Sequence, residues 1–262
     1  MDRMKEYAEL KKAELKERIS QMERPPQLLI YQVGNVEASN RYIRNKIKDC
    51  DEVGILTTHM VCAEDITTQE LVEEISKRGW LYDAIIVQQP LPLHIDQDKI
   101  NAIIAYSKDV DGFHPMSKFK PATAKGIIDY LEWRNFDFEG ANAVVIGRSN
   151  IVGKPVAKLL LEKDCNVTIC HSKTPHKNLM NYVYDADLII CAVGKEKFLN
   201  CTFLNNTPVI DVGINFNSEG KLCGDCFGQN KDSTNVSPVP GGVGLLTRVA
   251  LLENVVEAAY GT

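Results

Sequence analysis

The segment Val144-Val145-Ile146-Gly147-Arg148-Ser149-Asn150-Ile151-Val152-Gly153-Lys154-Pro155 constrains this chain more than any other. An apolar run that breaks at a glycine and reopens as a helix forces a strand, a tight turn and a helix into succession. Such a turn aims backbone N–H groups and the positive end of the helix macrodipole at one point, where a pyrophosphate is readily held. Gly147 and Gly153 remove the side chains that would block that approach. The spacing departs from the common dinucleotide fingerprint, because Ser149 stands where its second glycine falls and the next glycine is Gly153. An ordinary strand-turn-helix unit carries the same pattern, so this segment alone leaves both readings open.

The surrounding pattern is one of strands alternating with helices, which predicts α/β architecture with parallel sheets. Residues Arg3 to Gln21 read as a charged surface helix, and after Pro25-Pro26 the run Leu28 to Val33 reads as a strand. Ser39 is placed to cap a helix running to about Asp51, with Gly54 just beyond it. A strand at Ile55 to Thr58, a helix at Gln69 to Arg78, a strand at Ala84 to Val87 and a helix at Gln97 to Tyr106 follow. Lys108 to Pro115 is too rich in turn formers for regular structure, Ser117 to Ala122 reads as a crossing, and Lys125 to Trp133 as a connecting helix. Strands at Ala143 to Ile146, Asn166 to Cys170, Leu188 to Ala192 and Val209 to Val212 then give the doubly wound pattern of a nucleotide-binding domain. The last helix, Val243 to Ala259, carries Leu246, Val249, Leu252, Val255, Val256 and Ala259 at helical spacing.

A length of 262 residues implies about two domains. The net charge of -5 offers no bulk attraction for nucleic acid or an anionic membrane, so an anionic ligand must be held locally and a small molecule is the expected partner. Met1 to Lys12 is charged and lacks the apolar core of a signal peptide, and no apolar run approaches membrane-spanning length; a cytoplasmic protein is expected. Cysteines at apolar positions such as Cys50, Cys170 and Cys191 read as reduced thiols rather than a disulfide framework. Cys223-Gly224-Asp225-Cys226 has the C-x-x-C spacing, but no second pair of soft ligands flanks it, and no metal is assigned. Asp109 and Asp111 lack the remaining oxygen ligands of a calcium loop.

Four segments carry residues suited to chemistry. Tyr42 and Lys46, four apart, share a helix face beside the core positions Ile43, Ile47 and Cys50. A ring there can stack on a flat heterocycle while a partly desolvated amine serves proton transfer; a solvated surface pair has the same spacing. Gln88 follows the run Ala84 to Val87, at the carboxyl end of a parallel strand, and Gln89-Pro90-Leu91-Pro92 stiffens the loop that holds it. Asp111 is placed to accept hydrogen bonds from a ligand's N–H groups. Pro238-Val239-Pro240-Gly241-Gly242-Val243-Gly244 joins rigid prolines to glycines that permit close backbone approach, and reads either as a ligand clasp or as a plain helix lead-in.

In this order, Tyr42 to Lys46, Val87-Gln88 with Pro90-Leu91-Pro92, Asp109 to Pro115, Gly147 to Pro155, Val209 to Asn215 and Pro238 to Gly244, the chain resembles the methylenetetrahydrofolate dehydrogenase/cyclohydrolase family along nearly its whole length. The resemblance implies two domains around a cleft: an N-terminal α/β domain of residues 1–119, to which 243–262 return, and a Rossmann-like doubly wound NAD(P)-binding domain of residues 120–242. It implies oxidation of methylenetetrahydrofolate by a nicotinamide cofactor, followed by hydrolysis of the methenyl cation to formyltetrahydrofolate. Lys46 would be the catalytic lysine, with Gln88 orienting it, Tyr42 stacking on the folate and Asp111 anchoring the pterin. Pro90 and Leu91 would contact the substrate, and the loop of Pro240, Gly241 and Gly242 would close over it.

For the cofactor, the resemblance points to the turn of Gly147, Arg148, Ser149, Ile151, Val152 and Gly153. It adds His171 with Ser172 and Lys173, then Ala192 to Gly194 through Val193, and finally Val212, Gly213, Ile214 and Asn215. The usual NAD sites place an acidic residue at the end of the second strand, whereas here His171-Ser172-Lys173-Thr174 follows it. Ser172, Lys173 and Arg148 can hold an extra phosphate, so NADP is the expected cofactor. The family's usual residues are absent at Ala124 and Leu245, where proline is common, and at Gln89, where leucine is. A dehydrogenase with little cyclohydrolase activity, or a nucleotide-binding regulatory protein without turnover, shares the cofactor motifs. A homodimer is usual in the family.

Overall fold

The computed structural model describes residues 3–35, 37–202, 204, 207–228 and 235–261. The chain divides into two compact units, one of Glu9–Ala122 with Arg248–Thr262, the other of Met1–Ala8 with Thr123–Thr247. Helix α1 (Arg3–Ser20) is not the plain surface helix its charge suggests. Its Leu15 and Ile19 lie in the core of the first unit, and its Met4 and Tyr7 in that of the second.

The first unit is built on β1 (Gln27–Val33), α2 (Glu37–Val53), β2 (Leu56–Cys62), α3 (Thr68–Arg78), β3 (Ala84–Val87) and α4 (Gln97–Ile103). Its three strands are parallel in the order β2-β1-β3, so the chain leaves β1 toward one side and returns to pair on the other. β1 and β3 are almost wholly buried, with Leu28, Ile30, Ala84 and Ile86 on one face and Leu29, Tyr31, Ile85 and Val87 on the other. β2 is longer than its apolar content indicates, because it pairs with β1 along the full register from Gln27↔Leu56 to Val33↔Cys62 while its edge position leaves Thr58 and His59 exposed. Ser39 does not cap α2; the helix starts two residues earlier and Ser39 is buried within it. Thr67 does cap α3, in a reciprocal box with Glu70. Helix α4 stops at Ile103, three residues short of Tyr106, since Ile104 turns to extended backbone and enters the core. Ile85 bridges to Asp109 in parallel, which carries the irregular segment after α4 along the free edge of β3.

Helix α5 (Ala122–Trp133) begins directly after Pro121, earlier than Lys125, as suits a residue that cannot donate a helix hydrogen bond. The second unit continues with β4 (Asn142–Ile146), α6 (Gly153–Leu161), β5 (Asn166–Cys170), α7 (His176–Tyr184), β6 (Leu188–Cys191), β7 (Leu199–Asn200), β8 (Val209–Asp211), β9 (Asn215–Phe216), β10 (Leu222–Cys223) and β11 (Cys226–Phe227). Its main sheet is parallel in the order β5-β4-β6-β8, and Val236 bridges to Val209 beside β8. β9 and β10 form a short antiparallel ladder, β7 and β11 a short parallel one. Apolar clusters cover both faces of the main sheet, around Val145 and Ile190 on one and Val144 and Ile189 on the other. Helix α8 (Val243–Tyr260) gives Val243 and Leu246 to this unit and Ala250, Leu252, Val255 and Val256 to the first. All eight cysteines are free. No helix among the described residues is long and apolar enough to cross a membrane.

Candidate active site

In a parallel sheet, space for a ligand opens at the carboxyl ends of the strands, where the strand order reverses. In the first unit that point lies between β1 and β3, and the sequence puts Gln88 on one side of it and α2 on the other. The Gln88 N–H donates to Tyr31 O at 2.8 Å, continuing the sheet by one residue. Its side-chain Nε2 donates to Gln89 O at 2.6 Å, which fixes the amide so that Oε1 faces the other way. Lys46 Nζ donates to that Oε1 at 3.1 Å. The lysine is half-buried, and one turn before it Tyr42 holds a ring that is 38% exposed. Partial burial raises the Tyr42 phenol above its ordinary value, so it stays protonated.

Two polar clusters set the position of α2. Behind Lys46, the buried carboxylate of Asp49 pairs with Lys12 at 2.7 Å and with Arg248 at 2.8 Å. At the start of the helix, Gln32 Nε2 donates to Gly34 O at 3.0 Å and to Asn40 Oδ1 at 2.7 Å, leaving Oε1 as an acceptor for His59 Nε2 at 2.9 Å. Although the residue is exposed overall, partial desolvation of its ring beside Gln32 lowers the His59 pKa and favours the neutral form, whose proton this contact assigns to Nε2. Gln32 and His59 carry no signal in the sequence beyond being polar residues in or beside apolar runs.

Asp111 lies two residues beyond the Ile85↔Asp109 bridge, near the carboxyl end of β3. It is half-buried, and no described residue donates to its side chain. The shape of its loop comes from neighbours. Asp109, 2% exposed, accepts from His114 N at 2.7 Å, and burial pushes its carboxyl up. Gly112 has φ +74, and a Cβ there would meet Pro121 N at 2.6 Å. Asn254, buried in α8, donates to Val110 O at 2.8 Å and Lys120 O at 3.2 Å. Pro90 follows a cis peptide and is exposed, whereas Leu91 packs against the core. A separate concavity of about 510 Å³ in this unit is lined by Asp65, Glu70, Glu73, Glu74 and Lys77 and holds none of these residues.

In the second unit the expected cofactor residues all fall at the carboxyl ends of the parallel strands, after β4, β5, β6 and β8. Gly147 has φ +125, and a Cβ on it would meet Ala192 O at 2.2 Å; one on Gly153 would meet Gly147 O at 2.4 Å. Both glycines are therefore required by close backbone approach, which leaves a cradle open at the turn. The amides at the head of α6 are not all free, contrary to the simple anion-turn picture: Ser149 Oγ accepts from Val152 N at 3.2 Å and Gly153 N at 3.4 Å. Arg148, Ser172 and Lys173 are exposed, and His171 Nδ1 accepts from Lys173 N at 3.2 Å in a tight loop closed by Thr174. No carboxylate stands after β5. Ile151, Val193 and Ile214 are apolar yet 41%, 38% and 52% exposed, each on a different loop at this end of the sheet. These features fit a phosphorylated dinucleotide: a backbone cradle, three polar or cationic side chains and an uncovered apolar surface.

Two carboxylates that the sequence reading did not single out organise these loops. Asp225, fully buried, accepts from Val193 N at 2.6 Å, Gly194 N at 3.0 Å, Lys195 N at 2.8 Å and Asn215 Nδ2 at 2.9 Å. Asp211 accepts from Gly213 N at 2.9 Å, Asp225 N at 3.0 Å and Cys226 N at 2.9 Å; burial nevertheless pushes its carboxyl up. Cys223 and Cys226 flank the turn that carries Asp225, and among the described residues no group of three His, Cys, Asp or Glu side chains could hold a metal. After the Val236 bridge, Val239-Pro240 is cis, Gly241 has φ +98, and a Cβ on Gly242 would meet Pro238 O at 2.2 Å. Val212 N continues the sheet to Cys191 O at 2.8 Å.

Residues 3–111 match the family model described as tetrahydrofolate dehydrogenase/cyclohydrolase, catalytic domain, and residues 121–262 that of its NAD(P)-binding domain. The bifunctional protein FolD of Agathobacter rectalis is 42% identical over 264 residues, covering 94% of each chain. The crystal structure of the bifunctional FolD methylenetetrahydrofolate dehydrogenase/cyclohydrolase from Campylobacter jejuni superposes with a TM-score of 0.91 at 38% identity, covering 98% of this chain and 97% of that one. The Trypanosoma brucei methylenetetrahydrofolate dehydrogenase-cyclohydrolase, complexed with NADP and inhibitor, superposes with a TM-score of 0.92 at 28% identity, covering 100% and 97%. With both of its halves matched in order, the chain belongs to the tetrahydrofolate dehydrogenase/cyclohydrolase family.

Proposed function

We propose that this protein oxidises 5,10-methylenetetrahydrofolate to the 5,10-methenyl form with NADP and hydrolyses the latter to 10-formyltetrahydrofolate. The observation that carries the reading is the Lys46 to Gln88 hydrogen bond at the point where the strand order of the first unit reverses. That unit is the folate side; residues 123–247 are the cofactor side. Bound NADP supplies the nicotinamide carbon that accepts the hydride leaving the methylene carbon. Arg148, Ser172 and Lys173 meet its extra phosphate, and the Gly147 to Gly153 turn its pyrophosphate.

Tyr42 presents a flat apolar face to the pterin, and Asp111 accepts from the pterin's N–H groups. In the hydrolytic step water adds to the methenyl carbon and gives one proton to Lys46 as general base. The bond from that carbon to N5 then breaks, the hydroxyl becomes the formyl carbonyl as its proton moves to N5, and Lys46 releases its proton to solvent. Gln88 keeps the amine in place, because its donor end is tied to Gln89 O and only its acceptor end faces Lys46. A reducing compartment such as the cytoplasm suits eight free thiols, and a homodimer belongs to the same reading.

The test is to mix the purified protein with methylenetetrahydrofolate and NADP and follow methenyl and formyl products separately. Both should form. Lys46→Met should lower cyclohydrolase turnover at least roughly 100-fold, the scale of a lost acid–base group, while it leaves NADP affinity unchanged. Methenyl without formyl product from the native protein would restrict the function to dehydrogenation. No product of either kind would overturn the reading in favour of a non-catalytic nucleotide binder.

A further inference from the structure

Three successive backbone N–H groups that converge on one point form an anion-binding concavity, of the sort that often receives a phosphate. At the end of β6 the N–H groups of Val193, Gly194 and Lys195 do converge, but on the protein's own Asp225. The same carboxylate takes the side-chain amide of Asn215, the first residue of β9, which follows the loop after the neighbouring strand β8. Asp225 itself sits on the turn between β10 and β11, remote in sequence from the loop after β6, and Asp211 anchors it through the Asp225 N–H. Space around it is closed: a Cβ on Gly213 would meet Asp225 Oδ1 at 2.3 Å, and one on Gly224 would meet Asp211 Oδ2 at 2.0 Å. The loop it holds starts at Ala192, whose carbonyl oxygen lies against Gly147 of the glycine turn. Backbone packing therefore connects Asp225 through the loop after β6 to the turn after β4.

We propose that Asp225 is a positioning residue for the cofactor, an internal anion that occupies the concavity after β6 and holds the loops bearing Val193, Gly194 and Asn215 in the shape that receives NADP. The inference rests on the cofactor side of the function proposed above. It has a chemical corollary. The N–H groups of Val193 and Gly194 are committed within the protein, so these residues meet the cofactor through side chain and carbonyl, and its phosphates are left to the Gly147 turn, Arg148, Ser172 and Lys173. An amide in place of the carboxylate sets an NH2 group against two of the four N–H donors, a mismatch that costs binding wherever the loops must be in place beforehand.

Full-length native protein and Asp225→Asn are compared by calorimetric titration with NADP and by hydrolysis of methenyltetrahydrofolate in the absence of NADP. The Kd for NADP should rise roughly tenfold or more, while cofactor-independent hydrolysis stays within about twofold. In the dehydrogenase assay KM for NADP should rise with kcat at saturation little changed, and amide exchange should quicken at Val193 to Lys195 while the main sheet stays protected. An unchanged Kd overturns the inference. Asp225→Ser, which retains one acceptor and no charge, carries the same test should Asp225→Asn fail to fold; failure of both to fold makes Asp225 a residue of the fold alone and overturns it too. Native protein that binds no NADP defeats the proposed function as well, whereas tight NADP binding by native protein and variants alike defeats only this inference.

Discussion

Buried carboxylates divide this chain's polar residues into those that shape a loop and those that hold an element in place. Asp83 is of the second kind. Burial opposes its charge, but the Arg24 guanidinium at 2.6 and 2.7 Å and the Gln27 N–H at 2.9 Å outweigh that and hold the carboxyl below its ordinary value of 3.8. A depressed carboxylate contributes stability that is complete above its unfolded-state value and is lost as pH falls through the lower folded-state value. Asp83→Asn should therefore cost about 1–2 kcal/mol at neutral pH, and the gap to the native protein should close below pH 3.8 in urea unfolding followed across pH. The placement of Lys46, Gln88 and Tyr42 was legible in the sequence because each is polar on a helix face or at a strand end; their part in the chemistry is the proposal made above. Asp225 was not, because its partners are backbone N–H groups at Val193 to Lys195, and backbone partners leave no trace in composition.

The elements that the chain spells clearly are those buried along most of their length, such as β3, β6 and α8. β2 was legible only at its start, since an edge strand needs little apolar content when its partner's hydrogen bonds define it. Ser39 misled for a related reason: a serine before a periodic run reads as a cap, yet α2 extends past it and buries it. Within α8 the polar residue matters as much as the apolar stripe. Asn254 satisfies the carbonyls of Val110 and Lys120 on either side of the loop that carries Asp111. Asn254→Leu keeps the volume close but removes the amide donor to the buried Val110 carbonyl, and should destabilise the protein by about 1–3 kcal/mol in chemical unfolding. Because the loop is loosened too, KM for the folate substrate should rise in the same variant while KM for NADP does not.

At the scale of the molecule, each unit has its own parallel sheet and its own core, so ligands should act on them separately. Saturating NADP at 100 times its Kd should add about 2.7 kcal/mol of stability. Hydrogen exchange should slow in the loops after β4, β5, β6 and β8 and leave the amides of β1 and β2 unaffected; equal protection of both sheets would contradict the assignment of cofactor residues to 123–247. The alternation of strands and helices made the α/β class and the two sheets legible. The exact division of α1 and α8 was not, since a continuous helix with apolar residues along its length does not declare where one core ends and the next begins.

The reversal of strand order between β1 and β3, and again between β4 and β6, means that one geometric rule is used twice with different alphabets: amine and amide in the first sheet, glycine and hydroxyl in the second. Each set hangs from strand ends rather than from strand interiors. Mutation can therefore rewrite the one-carbon chemistry or the choice of electron carrier independently, without disturbing the packed layers that keep either sheet folded.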